Sequence, residues 1–271
     1  MPATSSRKHD LSLLSRSARA GLVTVADAAK ALHISNHEAA TRLARLHKAG
    51  WLLRVKRGTY FIRPLEAGPH DMGSAPDPWP IASALFDPCY IGGWTAAHHW
   101  GLTDQLFRST FVVTSAHIRK RSLTILELEF RLARVDDRSR VTATPAIWRG
   151  TQRVRLSSIE RTVADGLATP SWVGGFRHLV DILNSALNTG SLDVRRLSNE
   201  LVANKSGAAF KRLGYLAETL WPQRSDILTM MGPHLTSGVV RLDPNLPKRG
   251  RLSTRWLLWI NTTVSGSDWS T

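Results

Sequence analysis

Basic side chains recur at short spacings in the first quarter of this sequence. Arg42, Arg45 and Lys48 follow one another at three-residue steps, and Lys56 and Arg57 interrupt the apolar and aromatic stretch GWLLRVKRGTYFI. Arginine can hold a guanine edge with two hydrogen bonds, and both lysine and arginine bind backbone phosphates. The chemistry that these residue types favour is therefore recognition of a polyanion, above all nucleic acid.

Three predicted helices precede this stretch and would position its cations. Apolar residues at helical spacing predict helices over residues 10–20, 25–32 and 36–49. Thr24 and Ser35 are the predicted N-caps of the second and third helices, because a hydroxyl can accept a hydrogen bond from the unpaired N–H groups of a first turn.

The third helix has two faces of different character. Its predicted inward face is apolar and consists of Ala39, Leu43, Leu46 and Ala49. Glu38 stands three residues after Ser35, which is the spacing of a capping box, and Gly50 is the predicted stop. Strands over residues 51–55 and 59–63 then flank a short turn. Three helices followed by a hairpin predict a winged helix-turn-helix, with the hairpin as the wing.

The predicted DNA-binding residues combine the outward side of the third helix with the wing. They are Ser35, Asn36, His37, Thr41, Arg42, Arg45, Lys48, Arg54, Lys56 and Arg57. Asn and Arg can read adenine and guanine edges, while cations on a wing meet phosphates or the minor groove. For any single arginine, a solvated basic helix beside an ordinary hairpin is the alternative interpretation.

The charge distribution supports this location. Residues 1–63 hold 12 Lys and Arg against 3 Asp and Glu, a net charge of +9, and the remaining 208 residues hold 24 against 18, a net charge of +6. The total of +15 makes an anionic partner expected. Cys89 is the only cysteine, so no disulfide can form within the chain, which fits a reducing cytoplasm. No apolar stretch approaches the roughly 20 residues that span a bilayer, and we expect no secretory signal and no membrane partner.

A larger second domain is predicted after a proline-rich linker. Residues 64–80 contain five prolines, so we expect domains at 1–63 and 81–264 with few contacts between them. The second domain alternates predicted strands and helices, among them one long strand in LTILELEFRLARV and a helix capped by Ser157 and Glu160. The fold class is therefore α+β, a winged helix followed by a mixed α/β domain.

Four stretches of the chain together resemble one family. They are AGWLLRVKRGTYFI, YIGGWTAAHHWGLTDQ, RLSSIERTVADGL with GGF after it, and RLGYLAETL. In this order they are similar to the antitoxins of AbiE-type (type IV) bacterial toxin–antitoxin systems, over about residues 22–242. The resemblance implies a winged helix that binds inverted repeats at its own operon. It also implies a second domain that counters a nucleotidyltransferase-like toxin, and a protein that is not an enzyme.

Residues that suggest catalysis have simpler interpretations. Adjacent residues on a helix point about 100° apart, so His98 and His99 cannot both hold one metal from one face. Cys89 is expected to be a buried small hydrophobe. Glu127 and Glu129 would share one face of a strand, as a nuclease pair would, but no upstream carboxylate joins them.

The helix that contains Glu160 offers a second apparent cluster. Arg161 and Asp165 stand four residues apart, which allows an ion pair within the helix, and capping accounts for Glu160. The ten tryptophans are expected to be mostly core, with some available for a contact surface. We therefore predict no catalytic residue, no metal and no cofactor.

The leading hypothesis is a cytoplasmic antitoxin that represses its own operon by binding inverted-repeat duplex DNA. Oligomerisation on DNA is expected, because one recognition helix covers few base pairs. The alternatives are a winged-helix regulator with a ligand-sensing second domain and, behind it, a nuclease targeted by a winged helix.

Overall fold

The computed structural model describes residues 3–63, 68, 76–231 and 234–264. The first domain contains three helices and a small antiparallel sheet of strand order β1-β3-β2. Its elements are α1 (Ala3–Ser17), β1 (Leu22–Thr24), α2 (Val25–Leu32), α3 (Asn36–Lys48), β2 (Leu52–Lys56) and β3 (Thr59–Ile62). The predicted winged helix is confirmed. The strand β1, which the sequence analysis did not predict, completes the sheet.

Local capping determines where the helices of this domain begin. The Thr24 side chain accepts a hydrogen bond from the Asp27 N–H at 3.1 Å, and the Asp27 carboxylate accepts one from the Thr24 N–H at 3.0 Å. Ser35 accepts from the Glu38 N–H at 3.2 Å and starts α3. Because each cap satisfies N–H groups that have no partner inside the helix, the predicted starts of α2 and α3 agree with the observed ones. The first helix was predicted over residues 10–20, which is wrong at both ends, since α1 runs over Ala3–Ser17.

The second domain begins with a mixed sheet and the helices around it. Its first elements are α4 (Pro78–Phe86), β4 (Cys89–Ile91), α5 (Gly93–His99), β5 (Thr110–Thr114), β6 (Ser122–Ile125), β7 (Leu128–Arg134), α6 (Arg138–Thr142), β8 (Ala146–Arg149) and β9 (Gln152–Arg155). The four-stranded sheet has the order β4-β5-β7-β6, in which β5 and β7 are parallel. The strands β8 and β9 form a separate hairpin.

A helical layer and a second small sheet complete this domain. The elements are α7 (Ile159–Ala168), a 3₁₀ helix (Pro170–Val173), α8 (Phe176–Asn188), α9 (Val194–Asn204), α10 (Gly207–Leu220), α11 (Ser225–Met231), β10 (Val240–Arg241), β11 (Arg251–Ser253) and β12 (Leu258–Ile260). The sheet has the order β10-β12-β11. Apolar side chains of these helices and of β12 share the largest hydrophobic cluster of the described chain. The α+β fold class is confirmed.

The long strand predicted in LTILELEFRLARV is wrong. The chain turns at Leu126 and Glu127, whose φ angles are 54° and 64°, and β6 and β7 pair as a hairpin. Such turns usually contain Gly, Asn or Asp, so this one carries no recognisable sequence signal. The cap of α7 is also shifted by one residue, because Ser158 rather than Ser157 accepts from the Arg161 N–H.

The winged helix packs directly against the second domain. Leu22 and Phe61 lie on the back of the wing sheet and are buried in one hydrophobic cluster with Trp79, Ile81 and other residues of the second domain. The expectation that few contacts would join the two halves is therefore wrong at this surface. Of the predicted linker 64–80, residues 64–67 and 69–75 lie outside the described residues, and α4 already begins within it.

Candidate nucleic-acid interface

The outer side of α3 carries a row of exposed polar and basic side chains. Asn36, His37, Thr41, Arg45 and Lys48 are all exposed. The opposite side is anchored in the domain core, where Ala39 and Leu43 are fully buried. Because a helix brings residues three and four apart to one face, the exposed residues form one continuous surface. Ser35 is exposed too, but its hydroxyl is engaged in capping.

Arg42 differs from its neighbours because it already has partners within the protein. Its guanidinium lies 3.3 Å from the Asp10 carboxylate of α1 and 2.9 Å from the Glu38 carboxylate one turn earlier. The hydrogen bond that Arg42 donates to Glu38 is the main cause that raises the pKa of Arg42 above its ordinary value, and burial opposes it. Arg42 therefore joins α1 to α3, and a contact with DNA would require it to leave these carboxylates.

The wing places a second group of cations beside α3. Arg54, Lys56 and Arg57 are exposed, and Gly58 makes the turn with a φ of 73°. The Val25 N–H donates to the Gly58 carbonyl at 3.0 Å, which fixes the wing tip against the start of α2. A residue with a side chain would be strained at this φ, so glycine is what allows the turn to be this tight.

Two contacts hold the wing and α3 as one unit. The His47 ring Nδ1 lies 2.9 Å from the Leu52 carbonyl, and the Trp51 N–H donates to the Leu46 carbonyl at 3.1 Å. Within the described part of the chain, no carboxylate is ion-paired with Arg45, Lys48 or the three wing cations. The surface is therefore preorganised and its charges are available to an anionic ligand.

Residues considered for catalysis are not assembled into a site. Cys89 is buried, its Sγ lies 3.6 Å from the Ala82 carbonyl, and burial raises its pKa to about 12, so the predicted buried thiol is confirmed. His98 and His99 are exposed, and the His99 ring packs beside Trp79. Burial is the main cause that lowers the pKa of His99, and the charge of nearby Arg149 lowers it further. No group of three or more metal-ligating side chains occurs in the ranges that the structure describes.

The proposed pair of Glu127 and Glu129 does not exist as a strand pair. Glu127 lies in the turn between β6 and β7, whereas Glu129 lies on β7 opposite Thr124. The two carboxylates therefore do not share the strand face that a nuclease pair would require.

The cluster on α7 is a buried ionic network rather than an intrahelical pair. Asp165 accepts hydrogen bonds from the Tyr90 hydroxyl at 2.7 Å, from Arg140 Nη2 at 2.8 Å and from Asn204 Nδ2 at 2.9 Å. Arg161 instead donates to the Glu200 carboxylate at 2.9 Å. The expected Arg161–Asp165 ion pair is therefore wrong, because both side chains are instead hydrogen-bonded to residues of α6 and α9.

Burial and neighbouring charges shift the pKa values of the acidic groups in this network. Asp165 is completely buried, and burial raises its pKa while Arg140 opposes the rise. Burial and the Asp165 charge raise the pKa of Tyr90. The predicted capping role of Glu160 is wrong, because its carboxylate accepts from the Asp193 N–H at 3.3 Å at the start of α9. Sequence spacing did not point to Tyr90, Arg140, Asn204 or Glu200, because these residues lie far along the chain from Asp165 and Arg161.

The tryptophans divide between the core and the surface. Trp94 and Trp221 are buried, whereas Trp100 is 37% and Trp148 is 71% exposed. Leu106, at 79%, is also exposed. The expectation that most tryptophans are core holds for the first pair, and the second pair belongs to the surface.

The comparisons with known proteins bear on the two domains differently. Residues 11–62 match the family model of the AbiEi antitoxins, described as transcriptional regulators. The resemblance to this family is thereby confirmed over residues 11–62, which form the winged helix of the first domain. The match ends before the second domain begins. No curated protein matches the sequence.

A solved structure extends the likeness to the whole chain at the level of the fold. The crystal structure of the RV2827C protein from Mycobacterium tuberculosis has a TM-score of 0.59 and 18% sequence identity, and the alignment covers 95% of this chain and 91% of that chain. At this identity the likeness shows the fold alone. Among the helices that the structure describes, none has the length and apolar character to cross a membrane.

Proposed function

We propose that this protein is an antitoxin that binds inverted-repeat DNA upstream of its own operon and represses its transcription. The AbiEi-type domain supports a regulator role, and the preorganised cationic surface of α3 and the wing carries the proposal. Arg45, Lys48 and Asn36 face the major groove in this proposal, while Lys56 and Arg57 contact the backbone beside it.

The operator is expected to contain two half-sites. One recognition helix contacts only a few base pairs, so two copies of the protein, about one or a few helical turns apart, are needed for a unique site. Footprinting of the upstream region, together with a promoter–reporter fusion, tests this. Paired protections and lower reporter output in the presence of the protein are expected. A reporter that the protein leaves unchanged would contradict repression.

The second domain is proposed to act by binding, and its partner to be a nucleotidyltransferase-like toxin or the target of that toxin. The exposed side chains of Trp148 and Leu106 support this, because large apolar residues at the surface are typical of interaction sites. Co-expression with the neighbouring toxin tests it, using Trp148→Ser and Leu106→Ser, with exposed Val239→Ser as the matched control. Loss of growth rescue only in the first two variants is expected.

A cleft between the domains favours one alternative, a regulator that senses an anionic ligand. The cleft has a volume of about 360 Å³, and Arg19 of the first domain lines it together with Arg153 and Arg155 of the second. Asp87 lies in the same cleft and pairs with Arg155 at 3.5 Å, so an anionic ligand would replace this carboxylate. A dianion held between these cations would link both domains. Operator-binding measurements with and without added phosphorylated metabolites test this alternative, which requires affinity to change in wild type but not in Arg153→Ala.

A further inference from the structure

Outside the winged helix, one strongly positive stretch lies near the C-terminal end of the described chain. Residues 239–264 hold five Lys and Arg against one Asp, a net charge of +4. The rest of residues 64–271 hold 19 against 17, a net charge of +2. The five cations, here called the basic strip, are Arg241, Lys248, Arg249, Arg251 and Arg255. The strip is therefore a second positive surface, separate from the wing.

The cations of the strip are exposed, and most lack an acidic partner. Arg255 pairs with Glu218, and Arg241 Nη1 donates to the Leu246 carbonyl at 2.7 Å. In the part of the chain that the structure describes, no carboxylate is ion-paired with Lys248, Arg249 or Arg251. Three neighbouring cations without counter-charges make this surface attractive to an anionic chain.

Strand register adds an aromatic ring to the same surface. Trp259 of β12 pairs with Arg241 of β10 on one side and with Leu252 of β11 on the other. Paired residues point to the same face of a sheet, and the neighbouring Leu258 is fully buried on the opposite face. On the outer face of the three strands, Arg241, Trp259 and Leu252 therefore lie side by side.

Lys248 completes this arrangement. Its Nζ lies 4.8 Å from the centroid of the Trp259 ring, a cation–π contact. The Trp259 Nε1–H is buried and has no acceptor among the described residues, while the side chain as a whole is partly exposed. A flexible lysine can move from the ring to a phosphate, which would leave the indole for a base.

We propose that this face binds single-stranded nucleic acid, with phosphates on the basic strip and a base on Trp259. Cations beside an aromatic ring are the usual means of holding a strand whose bases are exposed. Duplex DNA fits less well, because its bases are stacked inside the helix and offer no face to the indole. The site is independent of the operator role, since Leu242 and Leu258 of this sheet pack in a different hydrophobic cluster from the one that the wing contacts.

The experiment measures fluorescence anisotropy of the full-length protein with labelled 20-nucleotide RNA, DNA of the same sequence, and the operator duplex. The test variant is Lys248→Ala/Arg249→Ala/Arg251→Ala. We expect its affinity for both single strands to fall about tenfold or more, and its salt slope to fall by about two, since each neutralised phosphate contributes about 0.7. Tighter binding of RNA than of DNA would indicate contacts to the 2′-hydroxyl.

A matched control variant tests whether affinity depends on where the cations lie or only on the total charge of the protein. Arg119→Ala/Lys120→Ala/Arg121→Ala removes the same charge from three exposed neighbouring residues of the same domain. We expect a change of less than about threefold, because non-contacting charges act only through screened long-range fields. Equal losses in both variants, or no single-strand binding by wild type, would overturn the proposal.

Two further sets of variants show which residues cause a change in single-strand binding. Trp259→Leu should weaken single-strand binding and Trp259→Phe should retain more of it, with thermal melts confirming that both are folded. Lys56→Ala/Arg57→Ala should weaken the duplex and leave single strands bound, so failure of the operator role is distinguishable. Single strands bound equally by all variants, with toxin binding lost only in the strip variant, would assign the strip to an acidic protein and overturn the proposal.

Discussion

Two groups of arginine side chains, one in each domain, act in opposite ways. On the winged helix, Arg45, Arg54 and Arg57 are exposed and have no ion-pair partner among the described residues. In the second domain, Arg161 and Arg212 are buried and every assigned contact is internal. The first arrangement leaves charge for a ligand, whereas the second uses charge to hold helices together. Total charge alone does not distinguish these two uses.

Arg212 shows the structural use most clearly. Its guanidinium donates to the carbonyls of Leu167, Ala168, Arg241 and Leu242. Two of these carbonyls belong to the last turn of α7, where a cation also opposes the negative end of the helix dipole. Burial lowers the pKa of Arg212 to about 10, and the Asp243 charge partly opposes this. Arg212 therefore joins α7 and α10 to β10.

The largest effect is expected from breaking the network around Asp165. Asp165→Ala would leave Arg140 and the Tyr90 hydroxyl without their acceptor in a buried site. Removing one member of a buried ion pair typically costs about 3–5 kcal/mol of unfolding free energy. Urea denaturation followed by circular dichroism measures the loss. Exposed Asp104→Ala is the control, and equal midpoints for the two variants would contradict a stabilising role of the network.

A smaller loss of stability is expected for Arg212→Met. Methionine fills much of the same space but leaves four carbonyls without their donor, and unsatisfied buried groups cost about 1–3 kcal/mol each before relaxation. We expect a loss of about 2–4 kcal/mol in the same urea experiment. Arg195→Met, at an exposed position of α9, should stay within about 0.5 kcal/mol of wild type. A similar small change for Arg212→Met would show that its hydrogen bonds contribute little.

The features that could be predicted from the sequence are those set by neighbouring residues. Thr24, Ser35 and the apolar spacing in α3 act within one or two turns, so both caps and the inward face of α3 were predicted correctly. The hairpin around Leu126 was missed because its turn residues are not the usual ones. The strand β1 was missed because its position depends on pairing with β3, far along the chain.

The candidate site shows the same limit. Exposure of Arg45 and Lys48 follows from helical periodicity and could be predicted. The pairing of Arg42 with Asp10 could not, because Asp10 lies on another helix 32 residues away. The ionic network of the second domain depends on similarly distant pairs, so sequence spacing suggested an Arg161–Asp165 contact that the fold replaces with others.

Changes to the exposed cations of the winged helix should affect binding and not stability. Lys56→Ala/Arg57→Ala should weaken binding to all duplexes and reduce the salt slope by nearly two, since each phosphate contact contributes about 0.9. Arg45→Ala should cost about 1–3 kcal/mol of binding free energy if it reads a base, and should relax the preference at one position. Anisotropy against operator and scrambled duplexes measures both. Unchanged affinity in both variants would contradict the assignment of these residues to the DNA interface.

Among the variants expected to lose stability, Arg42→Ala should lose the least, at a residue that lies between the two arrangements. Its guanidinium is about one-third exposed and bridges Asp10 and Glu38, so solvent screens both pairs. Exposed ion pairs contribute about 0.2–1 kcal/mol, and we expect Arg42→Ala to lower the unfolding free energy by no more than about 1 kcal/mol.

Asp10→Asn separates the two roles of Arg42, because it releases the arginine from α1 without removing its charge. If Arg42 only joins α1 to α3, Asp10→Asn and Arg42→Ala should destabilise the domain to a similar extent and leave operator affinity unchanged. If operator affinity instead falls for Arg42→Ala and rises for Asp10→Asn, the arginine exchanges Asp10 for DNA, and it belongs with the ligand-binding cations of the wing.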